Sequence, residues 1–264
     1  MLRLSGAVVL LGVTSMYMLG ANPVEWYRDG KPLYLALSGV IGLAIGDSAL
    51  FRSMLLFGPR RATLMLSVVP ILTAIIAWFL LDERLNLITW TGIILTVSGI
   101  GWVVLERTSA NNSQSSDGLD IKKGLQFGLV AALCQSIGLI LAKAGMGETM
   151  NPVSATFMRM IAGWAGMVII TLFGTGLADL NSALKDRRAL LLTGAGTIVG
   201  PFLGVWGSLI AVKYAETGVA ATLMGLMPIF VIPWVWIIYK EKTSPRALIG
   251  TIVAILGTAL LFLR

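Results

Sequence analysis

The chain has 264 residues, of which 56% are apolar and only 12% charged, with a mean hydropathy of +0.86. A water-soluble domain carries roughly 25% charge, so a surface facing water on all sides is excluded. Twenty Lys and Arg against 13 Asp and Glu leave a charge of +7. Those charges fall between apolar runs, which points to anionic lipid headgroups and not to nucleic acid.

A bilayer-crossing helix needs about 20 mostly apolar residues. Nine such runs follow one another, over 2–20, 33–57, 63–81, 87–105, 124–142, 153–174, 189–212, 218–239 and 247–263. They lack the two-residue alternation of membrane β-strands, so the fold class is all-α integral membrane with nine transmembrane helices. The breaks between runs are short, as at Gly58 to Arg61 and Asp82 to Arg84. The longest polar stretch, within 106–123, is rich in Ser, Asn and Gln and reads as a flexible linker. The first run, opened by Met1-Leu2-Arg3 and followed by Leu19-Gly20-Ala21, also resembles a signal peptide.

Comparing the chain with itself weighs against that alternative. An offset of 158 carries Gly42 to Gly200, Gly46 to Gly204, Pro70 to Pro228, Glu83 to Glu241, Gly92 to Gly250 and Gly99 to Gly257. At offset 156, Arg3 falls on Arg159. Residues 1–105 and 124–264 therefore read as two copies of one unit, four helices in the first and five in the second. The counterpart of 124–142 would precede Met1, so the first helix of the first copy is expected to be missing. Tandem copies of a five-helix unit enter the membrane with opposite orientation, the inverted repeat on which many secondary transporters are built.

The repeat ends carry a resemblance. Pro70, then Trp78-Phe79-Leu80-Leu81-Asp82-Glu83-Arg84-Leu85, then a helix with spaced glycines, resembles the end of an EamA-type repeat of the drug/metabolite transporter superfamily. The second copy repeats it more weakly through Pro228 and Tyr239-Lys240-Glu241-Lys242. Asp82 and Lys240 stand where the family pattern has Gly. The resemblance implies ten helices in two inverted halves around a central cavity, in a bacterial cytoplasmic membrane, and is nearly silent about substrate. Lys and Arg counts on the two sides, twelve against six, favour a cytoplasmic Met1 and an external Arg264. The resemblance implies a cytoplasmic C-terminus, so orientation stays open.

Ionisable groups inside the hydrocarbon are expensive and mark pathways or pairs. Asp47, in Gly46-Asp47-Ser48 near the middle of its run, is the clearest candidate for substrate binding or proton coupling, since a carboxylate in low dielectric can take up a proton near neutrality. The alternative is a structural pair with Arg52 or Arg3. Gln135 and Ser136 lie mid-run and would contact substrate or hydrogen-bond a neighbouring helix. Trp206 and Trp236 are too central for an interfacial belt and would wall a cavity or pack a core. Pro70 and Pro228 would kink their helices and serve as hinges. Arg3 and Arg159, near the starts of their runs, are expected to snorkel to headgroups; the alternative is contact with a substrate anion. Glu83, at a run end, is expected to cap a helix or pair in a loop.

There is no histidine, and Cys134 stands alone, so His-based triads, zinc sites and disulfides are excluded. Neither a Walker loop nor a GxSxG motif occurs. No cofactor or metal is expected, and an intramembrane enzyme is disfavoured. The reading is a secondary transporter of small organic metabolites working by alternating access through a central cavity. The alternative is a non-transporting membrane scaffold or partner subunit.

Overall fold

The computed structural model describes residues 1–20, 31–110, 120–148, 150–173, 187–226, 229 and 245–262. Every regular element among them is helical. Six helices are long and apolar enough to cross a bilayer: Leu2–Leu19, Pro32–Leu56, Arg61–Leu81, Ile121–Met146, Pro152–Phe173 and Leu190–Tyr214. Leu87–Val103 and Leu248–Phe262 are shorter apolar helices. The run expected over 218–239 is described as helix only to Gly225, and Pro228 and Trp236 lie outside the described residues, as does most of the linker.

In chain order the elements are α1 (Leu2–Leu19), α2 (Pro32–Gly39), a first π segment (Val40–Gly46), α3 (Asp47–Phe57), α4 (Pro59–Leu66), α5 (Val69–Leu81), α6 (Leu87–Ala110), α7 (Ile121–Met146) and α8 (Pro152–Phe173). There follow α9 (Arg187–Thr197), a second π segment (Ile198–Gly204), α10 (Val205–Tyr214), α11 (Thr217–Gly225) and α12 (Pro245–Phe262). Two helix starts, those of α6 and α8, use side chains that satisfy otherwise orphaned N–H groups. Asn86 Oδ1 accepts from the Thr89 N–H at 2.7 Å and Asn151 Oδ1 from the Val153 N–H at 3.0 Å. Two of the expected continuous runs hold a π segment, and the run 63–81 is interrupted between α4 and α5. There the Ser67 and Val68 N–H groups bond Leu64 and Met65 carbonyls three residues back. Pro70, the second residue of α5, has no N–H to carry an α-helical ladder through that point.

Two compact units form, each drawing on both sequence halves: Met1–Asp47 with Ile137–Ala215, and Ser48–Ser136 with Glu216–Arg264. In the first, α1 and α8 run antiparallel. The Trp164 indole N–H donates to Ser5 Oγ at 2.9 Å, and a Cβ on Gly12 would lie 3.2 Å from the Phe157 ring. Leu4, Ala7, Leu11, Leu43 and Met160 form its core. In the second, α6 and α12 run antiparallel at glycine contacts, and α11 meets α5 where a Cβ on Gly218 would lie 2.7 Å from Ala74 Cβ. Its cores gather Ile100, Leu226, Ile229 and Ala254, and Ala74, Ile93, Val219 and Leu261. Small residues at such crossings are how helices attract in lipid, where the hydrophobic effect between them is lost and close van der Waals contact replaces it. Large apolar side chains stay exposed, among them Tyr17 at 92%, Leu55 at 83% and Phe173 at 90%. Water would not tolerate so much exposed apolar surface; lipid does.

Candidate functional site

Asp47 opens α3 directly after the first π segment. That segment, Val40-Ile41-Gly42-Leu43-Ala44-Ile45-Gly46, has three residues with side chains of one carbon or none, so neighbouring backbone can approach it closely. A π turn admits one more residue per turn and resets the face that the following residues present; such turns recur at functional sites. Asp47 is thereby set where Arg3 of α1 reaches it, Nη2 to Oδ2 3.7 Å. Asp47 is mostly buried, with 15% of its side chain exposed, against 43% for Arg3. Arg52, the other partner weighed from sequence, lies instead over the Phe127 ring at 5.7 Å.

The structure corrects the expectation for Arg159. It does not snorkel: it is 2% exposed, the largest fully buried side chain described. Its guanidinium lies against glycines of two other helices. A Cβ on Gly42 would come within 2.9 Å of Nη2, and one on Gly138 of α7 within 3.4 Å. Gly39 packs on the Arg159 carbonyl. Arg159 interacts electrostatically with Asp47, yet its Nε and Nη1 find no hydrogen-bond partner among the described residues. One carboxylate thus interacts with two guanidinium groups, from arginines 156 residues apart in sequence. Sequence reasoning missed the burial; the signal that was available lay in Gly42 and Gly138, whose missing side chains make the room.

Ser136, in the second unit, is buried, and its hydroxyl is within hydrogen-bond reach of the Ala132 and Val69 carbonyls at 2.9 and 3.3 Å. Gln135 beside it is half-buried. Trp206 packs on the core of the first unit, tilted against Phe202 with ring centroids 6.0 Å apart. Glu83 caps a helix other than its own: Oε2 accepts the Thr217 N–H at 2.7 Å and Oε1 the Thr217 hydroxyl at 2.6 Å, at the start of α11. Trp78, Glu83, Arg84, Leu85 and Trp90 line a recess of about 400 Å³ in the second unit. Among the described residues no group of three His, Cys, Asp or Glu is placed to hold a metal ion.

Long apolar helices, lipid-tolerant outer surface and buried charge define a multi-pass integral membrane protein. Comparison with known proteins then specifies the family. The EamA-like transporter family matches residues 1–105 and 122–263, nearly the whole chain, and the chain belongs to it. An "uncharacterized transporter" of Clostridium kluyveri is 25% identical, across 97% of this chain and 79% of the relative. A WAT1-related chloroplastic protein of Arabidopsis thaliana is also 25% identical, across 86% of this chain but only 56% of that protein. A crystal structure shares the fold with a TM-score of 0.73 at 16% identity, covering 99% of this chain and 86% of that one. The protein is a membrane transporter of the EamA type.

Proposed function

We propose that the chain is a secondary transporter of small organic metabolites, working by alternating access between two inverted repeats, 1–105 and 124–264, in a bacterial cytoplasmic membrane. The observation that carries this reading is the pair of π segments. Val40–Gly46 and Ile198–Gly204 are the same length and stand 158 residues apart, the offset of the sequence repeat. A π segment has the ladder bonds of its turn displaced by one residue, so two matched segments are two equivalent places where a spanning helix can rearrange. The helix contacts support inversion. In the α6–α12 crossing Gly92 meets Gly257 and Gly99 meets Gly250, and the offset turns each contact into the other. The Gly6–Thr197 contact matches the Gly39–Gly163 contact to within one residue.

In this reading Asp47 is the coupling or substrate carboxylate and Pro70 a hinge, with Pro228 in the equivalent place. Gln135, Ser136, Trp206 and Trp236 contribute to the pathway. The driving force is a solute or proton gradient.

Purified protein in proteoliposomes, preloaded with radiolabelled amino acids, organic acids or sugars in turn, tests the proposal by counterflow. Saturable exchange of one class, abolished by dissipating the gradient, supports it. Absence of exchange across all classes overturns it and leaves a scaffold or partner subunit.

A further inference from the structure

Asp47 pairs with the partly exposed Arg3 and interacts electrostatically with the buried Arg159. Arg3 is 43% exposed, whereas Arg159 is buried, its guanidinium against Gly42 and Gly138. A guanidinium cannot shed its proton, and a buried charge is tolerated where a counter-ion and hydrogen-bond acceptors meet it. Arg159 is left with three N–H bonds, one on Nε and two on Nη1, without an acceptor among the described residues. A buried guanidinium set against two glycines, and short of acceptors among the described residues, has donors to spare for a ligand.

We propose that Arg159 is the anchor for the acidic group of a small organic anion, a carboxylate or a phosphate. The proposal rests on the transport reading and adds the charge class of the solute. The planar guanidinium donates to the anion oxygens, which replaces the missing acceptors and adds negative charge beside Arg159. Asp47 holds the second function. Its charge attracts Arg159 and Arg3 when the anion has left, so the empty site is not an uncompensated pair of cations. Half-buried aromatic side chains, among them Phe157, Trp164 and Trp206, border the core that holds Met160, the residue after Arg159.

The test uses the full-length protein in detergent and three probes with one aromatic body: benzoate, phenyl phosphate and benzylammonium. Tryptophan fluorescence and thermal unfolding are followed against sodium chloride at equal ionic strength. Saturable binding of benzoate or phenyl phosphate and none of benzylammonium is expected. In Arg159→Gln the affinity is expected to fall at least about tenfold. Should that variant not be recovered folded, Arg159→Lys replaces it; the charge stays but the Nε donor is lost, and binding is expected to weaken at least about threefold. Wild-type protein that binds neither anion, or a folded variant with unchanged affinity, overturns the assignment. The readout involves no flux, so the two readings fail separately. A protein that binds the anions through Arg159 yet exchanges nothing keeps the site and loses transport. One that exchanges only neutral or cationic solutes and binds no anion keeps transport and loses the site.

Discussion

Gly99 of α6 and Gly250 of α12 meet backbone to backbone: a Cβ on Gly99 would lie 2.6 Å from the Gly250 carbonyl oxygen, and one on Gly250 3.1 Å from that of Gly99. Gly92 and Gly257 meet the same way about two helical turns away, each Cβ position 2.9 Å from the other's carbonyl oxygen. Between them Thr96 donates to Gly92, with the Ala254 carbonyl 3.4 Å from its hydroxyl. The two helices have no room for a side chain at these positions.

Replacing Gly99 by Val should therefore force α6 and α12 apart, at a cost of about 1–3 kcal/mol from overpacking. Unfolding in detergent, followed by helical circular dichroism, measures it. Gly194→Ala in α9 is the control, since no described atom lies within 4 Å of the position its Cβ would take. There the gain in helix propensity, about 0.5–1 kcal/mol, should be the only effect. Equal behaviour of the two variants would remove the close crossing.

Asp82 ends α5 with φ +52°, the one left-handed non-glycine among the described residues. The EamA-type pattern has Gly at this place, and the conformation explains why: a Cβ in the left-handed region costs about 1–2 kcal/mol unless the side chain compensates locally. Asp82→Gly should stabilise the protein by up to about 1 kcal/mol, offset in part by the extra freedom glycine brings to the unfolded chain. A thermal midpoint that falls on this change would show that the aspartate side chain makes a compensating contact.

Much of this architecture was legible beforehand because lipid imposes a simple length rule on apolar runs, and because glycine spacing recurs at a fixed offset. Gly92, Gly99, Gly250 and Gly257 could be matched by offset, and they turned out to form one crossing. The π segments were not legible: Val40–Gly46 has the same apolar composition as the helix on either side, and the extra residue in its turn leaves no mark on hydropathy. Arg159 was misread for a related reason. Its distance along α8 suggested reach to the headgroups, but what decides its burial is the absence of side chains at Gly42 and Gly138, far away in sequence. Asp47 was legible as a buried carboxylate; that Arg3 and not Arg52 would pair with it depends on the packing of α1 and on Arg52 lying over Phe127, neither of which spacing reveals.

Outside the membrane, Asp120 precedes α7 and binds Lys123 twice: Oδ2 to Nζ at 2.9 Å, and Oδ1 to the Lys123 backbone N–H at 3.1 Å. The Lys123 side-chain hydrogen bond, then its backbone N–H, hold the Asp120 carboxyl below the ordinary aspartate range. A lowered folded value means the contribution to stability is present above the ordinary aspartate pKa and lost as pH falls through the folded one. Carboxylate NMR should show Asp120 titrating at lower pH in the folded protein than in the unfolded chain. Lys123→Gln should move that titration upward. A titration unmoved by the change would sever the pair. Because both side chains are exposed, the global unfolding midpoint should hardly respond.

Asp47→Asn separates the structural from the transport role of the cluster. The amide keeps the shape of the carboxylate and removes its charge, so Arg3 and Arg159 lose their shared counter-charge. Arg3 is 43% exposed and recovers much of the loss from solvent; Arg159, buried on every side, does not. Leaving a buried charge unpaired costs about 3–5 kcal/mol, and the exposed half of the cluster reduces what is observed toward the lower end. Flux is therefore compared per folded molecule, with Asp47→Glu as the variant that restores the charge. If Asp47 exchanges a proton during the cycle, Asp47→Asn should lower gradient-driven uptake at least tenfold (about 1.4 kcal/mol in the limiting barrier), and what remains should no longer vary with pH. Asp47→Glu should recover both uptake and pH dependence. Uptake that keeps its rate and its pH profile in folded Asp47→Asn would confine Asp47 to holding the two arginines in place.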